Sequence, residues 1–252
     1  MLLPRVIPCL LLRGQGLVKG VQFENHRYIG DPINAVQLFN TMEVDELLFL
    51  DILATHENRI PSIELVQKIA DQCLMPFGIG GGIKNVTQIR DLLKAGAEKV
   101  CLNTYALENP DLIHEASEIF GRQSIVVSID IKKNSAGEHD VFTHCGTKLF
   151  SRDLKATVQL MEEKGAGEIL LNSIDRDGAM SGYDLEVLKE VTKNTAIPVI
   201  ALGGAGSAKD LKAGIETGKA SAVAAGSLFV FHGARKAVLI NYPTSEELKK
   251  LI

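Results

Sequence analysis

Short apolar runs alternate along this chain with longer segments whose apolar residues return every three or four positions. The runs fall near 5–11, 46–52, 75–79, 98–103, 124–130, 168–173, 198–202 and 222–226, and they read as strands. Between them, PSIELVQKIADQCL keeps Ile63, Val66, Ile69 and Cys73 on one helical face. NVTQIRDLLKAG does the same with Val86, Ile89, Leu92 and Leu93, and RDLKATVQLMEEKGAG with Leu154, Val158 and Met161. Gly96 and Gly165 follow the last apolar positions, where a helix ends readily on glycine. Eight strand–helix units imply a parallel α/β sheet, and eight closing on themselves imply a (β/α)8 TIM barrel. An open doubly wound sheet is the alternative.

Self-similarity favours the barrel. PFGIGGGI (76–83) resembles PVIALGGAG (198–206), KVCLNTYAL (99–107) resembles AVAAGSLFV (222–230), and DELLFLDI (45–52) resembles GEILLNSI (167–174). The members of each pair lie about 120 residues apart, and a fixed period is an architectural signal. It implies a two-fold half-barrel repeat, with halves of about 1–122 and 123–252, inside a single domain of residues 1–252.

Length and composition agree. The chain has 252 residues, about one α/β barrel, with 46% hydrophobic and 23% charged residues. A net charge of −4 suggests no nucleic-acid or membrane surface. MLLPRVIPCLLL is too short and too interrupted by Pro4, Arg5 and Pro8 for a membrane span, and it lacks a cleavable-signal pattern. Cys9, Cys73, Cys101 and Cys145 form no C-x-x-C pair, so they read as reduced thiols of a cytoplasmic protein. The six histidines show no metal-ligand spacing, and no P-loop, G-x-S-x-G or H-E-x-x-H motif occurs. Neither a metal nor a cofactor is expected.

Barrel active sites occupy the C-terminal ends of the strands. There, Gly81 and Gly82 follow the third strand, and Gly203 and Gly204 the seventh. Such turns let backbone N–H groups approach an anion, although tight turns alone also want glycine. Asn103 and Thr104 follow strand four, and Gly226 and Ser227 follow strand eight. As a symmetric pair these suggest a phosphate at each end of an elongated small molecule. Asp130 ends strand five, where a carboxylate suits general acid–base work or caps the next segment. Asp177 and Gly178, in the polar loop after strand six, fit phosphate binding or turn geometry. Residues 13–31 read as a long loop closing over substrate, with Lys19 either reaching a phosphate or merely solvated. His144 reads as a loop residue.

Four charges begin strands instead of ending them: Arg5, Glu46, Lys99 and Glu168. Pointing inward, they would form a ring of two cations and two anions across the base; otherwise they are surface charges at strand edges.

Taken together, RVIPCL, VKGVQF, GDP, DELLFLDI, GIGGGI, AGAEKVCLNT, SIDIKK, GAGEILLNSIDRDGAMSGYDLE and IPVIALGGAG resemble the HisF cyclase subunit family of imidazole glycerol phosphate synthase, from about residue 4 to 230. The resemblance implies a HisH-like glutaminase docked at the barrel base. It also implies an ammonia gate at Arg5, Glu46, Lys99 and Glu168, and a doubly phosphorylated ribonucleotide at the top. The family pattern breaks at its paired aspartates. Asp130 is one, but the partner position is Leu11, in PCLL instead of PCLD. Leu202 stands where a serine is usual, and Asn172 where a threonine is usual. The segment GARKAVLINYPTSEELKKLI also departs, and resembles a HisF-like branch associated with amidation of bacterial surface sugars. That branch implies ammonia channelling to a separate sugar amidotransferase. The alternatives are a working histidine-pathway cyclase and a non-catalytic phosphate-binding scaffold.

Overall fold

Eight parallel strands close on themselves, and all but the third divide their side chains between two apolar cores. The computed structural model describes residues 4–233, 235–244 and 246–248. The barrel strands are β1 (Arg5–Arg13), β2 (Leu47–Asp51), β3 (Phe77–Gly80), β4 (Lys99–Leu102), β5 (Ile125–Lys133), β6 (Glu168–Ser173), β7 (Val199–Leu202) and β8 (Ala222–Ala225). Each pairs in parallel with the next, and β8 returns to β1 with Arg5 opposite Ala222. Along β1, Ile7 and Cys9 join an inner cluster with Leu48, Cys101, Val126, Leu170 and Ile200. Val6, Leu10 and Leu12 join the larger cluster beneath the helices. A period of two thus separates barrel interior from helix-facing core.

The outer helices are α1 (Pro32–Thr41), α2 (Ile63–Gln72), α3 (Val86–Lys94), α4 (Asp111–Phe120), α5 (Leu154–Glu163), α6 (Leu185–Lys193) and α7 (Ala208–Glu216). Their starts are specified locally. Asp31 accepts from the Ile33 and Asn34 amides ahead of Pro32, and Asn85 accepts from the Gln88 amide. Gly96 follows α3 at φ +110°, a backbone state that costs glycine little.

Two segments differ from the sequence expectation. Residues 13–31 are not an irregular loop: Gly16–Val21 and Glu24–Gly30 form a hairpin that pairs antiparallel with the end of β1. Leu12 and Leu17 face each other across that pairing and are both buried, which favours strand over coil. A second hairpin, His139–Thr143 and Lys148–Ser151, extends β5, with Asp130 opposite Phe142. After the short helix Ser227–Val230, the chain forms a two-stranded ribbon, Phe231–His232 with Ala237–Val238. Tyr242 then packs on Phe229 and its hydroxyl donates to the Val6 carbonyl at 2.8 Å, tying this segment to the barrel base. Among the described residues, no helix is long and apolar enough to cross a membrane.

Candidate functional site

The base of the barrel carries a closed circuit of charge. The Arg5 guanidinium donates to Glu46 and to Glu168. The Lys99 ammonium reaches the same two carboxylates, at 3.1 Å to Glu46 and 2.9 Å to Glu168. Cations and anions therefore alternate, and each touches two of the opposite sign. These side chains point inward; they are not scattered at strand edges. Burial works against the Arg5 charge, but Glu168 and Glu46 outweigh it, and its pKa ends above the ordinary value. Glu46 and Glu168 are both buried, so their charge is tolerable only because it is paired.

At the opposite end the strands open into a cavity of about 320 Å³. Asp130 lies in its floor and is 8% exposed. Asn172 donates to it from β6 at 3.0 Å, and Asn103 from beyond β4 at 3.2 Å; the Ser128 hydroxyl stands at 3.5 Å. No cation pairs with it among the described residues. Burial therefore dominates and lifts the carboxyl to about 7; Asn172 pulls it down, while the Asp177 charge pushes it up. Leu11 lines the same cavity from β1, as does Leu202 from β7.

Lys19 is neither solvated nor free. It is 5% exposed and its ammonium is held by both oxygens of Asp177, at 2.8 and 3.1 Å. The hairpin delivers Lys19 to the cavity, and Gln22 fastens that hairpin to the loop after β6. Its amide donates to the Asp177 carbonyl at 2.8 Å, and its side chain to the Asp175 carbonyl at 2.8 Å. Gly178 packs under this contact: a Cβ there would meet the Gly20 carbonyl oxygen at 2.2 Å.

Gly81, Gly82, Asn103, Thr104 and Gly226 line the cavity with Lys19 and Asp177, whereas Gly178, Gly203, Gly204 and Ser227 lie outside its lining. Turn geometry by itself demands some of these glycines. Gly82 has φ +65°, and a Cβ would stand 1.9 Å from the Arg59 carbonyl oxygen. The Thr104 hydroxyl is already engaged, accepting from the His144 amide at 3.0 Å and donating to Asn103 Oδ1 at 3.2 Å. His144 sits in the second hairpin's turn at φ +52°.

Sequence reasoning missed Asp51. It ends β2 as Asp130 nears the end of β5, is 5% exposed, lines the cavity and is gripped by Arg59. The strand-end rule that selects Asp130 would have selected it. His26 and Phe23, carried in by the hairpin, were also passed over. Among the described residues, no group of three or more His, Cys, Asp or Glu is placed to hold a metal ion.

Comparison with known proteins identifies the family. The family model described as "Histidine biosynthesis protein" matches residues 5–235. A Leptospira interrogans protein described as "Putative imidazole glycerol phosphate synthase subunit HisF" is 49% identical over 252 residues, covering 100% of this chain and 99% of that one. "Putative imidazole glycerol phosphate synthase subunit hisF2" of Pseudomonas aeruginosa is 50% identical over 244 residues, 97% of each chain. A Vibrio vulnificus protein described with the designation hisF3 is 48% identical, covering 100% of this chain and 97% of its own. With a closed eightfold barrel, a family match over nearly its whole length and full-length relatives near 50% identity, the chain belongs to the histidine biosynthesis protein family, in its HisF branch.

Proposed function

We propose that this chain is the HisF-like synthase subunit of a glutamine amidotransferase complex. A HisH-like glutaminase docks at the barrel base and releases ammonia there. Arg5, Glu46, Lys99 and Glu168 act as the gate, and ammonia passes along the axis to the cavity. The acceptor is a nucleotide sugar of surface-polysaccharide synthesis, amidated with a separate sugar amidotransferase. A phosphorylated small molecule would be bound by Gly81, Gly82, Asn103 and Thr104 on one side. Gly203, Gly204, Gly226 and Ser227 serve on the other, with Lys19, Asp177 and Gly178 between. The two sides correspond to the two half-barrels, which together make one domain.

One observation carries the reading: the wall that would hold Asp130's acid–base partner presents Leu11, while the charged circuit at the base is intact. Leucine transfers no proton, and losing one of two acid–base groups costs about 10²–10⁴ in rate. A chain that keeps its entrance without the paired acids is suited to passing ammonia onward.

The test mixes the purified chain with a HisH-like glutaminase. Glutamine hydrolysis should rise on mixing. Lys99→Ala or Glu46→Ala should lower glutamine-supported amidation more than amidation supported by added ammonium. Equal loss in both assays contradicts the gate, and no stimulation on mixing favours a non-catalytic scaffold. The second reading, an imidazole glycerol phosphate synthase cyclase, is favoured by the names of the relatives and by the retained, protonatable Asp130.

A further inference from the structure

Two asparagines hold Asp130, and they are not equivalent. The Asn103 amide is fixed at both ends. Its Nδ2 donates to the Ser128 carbonyl at 2.9 Å and to Asp130, while its Oδ1 accepts from the Thr104 hydroxyl. Turning that amide over would break bonds on both sides. Asn172 is fixed at one end only. Its Nδ2 donates to Asp130 Oδ1, but its Oδ1 is buried and has no hydrogen-bond partner among the described residues. The Oδ1 atom itself is buried, and such an unmade bond is costly. A Cβ built on Gly203 would stand 3.0 Å from Asn172 Oδ1, with the Ser173 carbonyl oxygen at 2.6 Å and the Ser173 amide at 3.0 Å.

The deficit has a physical resolution. A carboxylate needs donors, whereas a carboxylic acid also has a proton to give. The Asn172 amide can serve either form: Nδ2 toward the carboxylate, or, after a half turn about its last side-chain bond, Oδ1 toward the acid. We infer that Asn172 is a positioning residue whose amide turns over with the proton on Asp130, so that Asp130 stays hydrogen-bonded to β6 in both protonation states. Proton uptake forms the Asp130 O–H bond with a proton from the water-accessible cavity. That O–H then donates to Asn172 Oδ1, and the freed Nδ2 swings toward the Gly203–Ser173 backbone. The carboxyl's position near 7 places the exchange around neutrality.

The buried thiols near Asp130 leave that range to it. The Cys9 and Cys145 thiols are pushed up by burial to about 12 and about 11, and Cys101 also rises well above its ordinary value. Lys19 and Asp177 are ion-paired, as are Asp51 and Arg59. His26 is lowered by burial and by the Lys19 charge. His56 also lines the cavity, so the His56→Gln variant is measured in parallel.

The inference rests on Asp130 being the carboxyl in the floor of the proposed site, but its test needs neither partner nor substrate. The side-chain carboxyl carbon of Asp130 and the side-chain NH2 of Asn172 are followed by NMR from pH 5 to 9 in the intact chain. We expect one shared midpoint near 7. In Asn172→Leu the Asp130 midpoint should rise by about one pH unit, because the carboxylate loses a donor. In Asn172→Thr, whose hydroxyl both donates and accepts, it should move less. An Asn172 amide that stays silent while Asp130 titrates overturns the proposal, as does an unmoved midpoint in Asn172→Leu. The wild-type titration decides the matter if the leucine variant does not fold. Loss of glutaminase coupling, by contrast, would sink the ammonia reading and leave this result standing.

Discussion

Glu46 and Glu168 at one end of the barrel and Asp130 at the other are buried to the same degree and treated in opposite ways. Glu46 and Glu168 at the base are 6% and 9% exposed, and Asp130 at the top is 8% exposed. Glu46 and Glu168 each touch two cations, so the charges compensate one another. At the top, Asp130 has only amides and a distant hydroxyl, with the Asp177 carboxylate as a further like charge. Burial alone therefore decides neither charge state. The neighbours do, and they make the base a fixed ionic circuit and the top a titratable acid.

This contrast is breakable. The largest effect is expected at the top. The Asp130 carboxyl is raised from its ordinary value to about 7. Its protonated form thus contributes stability that is fully present below the unfolded pKa and is lost as pH rises through 7. Above that, the buried charge costs on the order of 4 kcal/mol. Asp130→Asn removes the cost, so its stability gain over wild type should grow by about 3 kcal/mol between pH 5 and pH 8, as read by urea unfolding. A gain independent of pH would mean that Asp130 is not the titrating group.

The next effect is at the base, with the opposite sign. Glu168→Ala leaves Arg5 and Lys99 sharing one carboxylate. Partial exposure of Arg5 softens the loss, which should still be about 2–3 kcal/mol by urea unfolding. A gain in stability, as in Asp130→Asn, would mean that the two ends are not distinct.

A control away from both ends sharpens the reading. His139 in the second hairpin bonds Asp184 at the start of α6, at 3.1 Å. That bond, with the His139 and Arg176 charges, holds the Asp184 carboxyl down at about 2 despite its burial. A depressed carboxyl contributes stability above its unfolded pKa and loses it as pH falls through the folded value. His139→Ala should therefore cost about 1 kcal/mol at pH 5, and the difference should vanish toward pH 2. Acid unfolding curves of the two proteins provide the check.

How much of this was legible beforehand follows from what each feature depends on. The eight strands were readable because apolar runs bounded by turns need no distant information. The base charges were visible as residues, but their direction was not, since strand periodicity leaves the first residue of a run free to face axis or solvent. The structure turns all four inward. The hairpin at 16–30 escaped notice because Gly14, Gly16, Gly20 and Gly30 suggested coil, whereas the deciding Leu12–Leu17 contact is a pairing across the turn. Lys19 could not be told from a solvated lysine for a related reason: its partner Asp177 lies 158 residues away. The break at Leu11 needed only the sequence and a family pattern; its meaning needed the cavity that brings Leu11 and Asp130 to one space.

The chain keeps a closed ring of charge at its base and presents Leu11, not a second carboxylate, to the cavity that holds Asp130. The direct measurement is turnover of the doubly phosphorylated ribonucleotide with saturating ammonium salt, for the wild-type chain and Leu11→Asp. The account predicts wild-type turnover lower than that of a two-aspartate cyclase by about 10²–10⁴, with a rise in Leu11→Asp. Wild-type turnover equal to that of such a cyclase would contradict it.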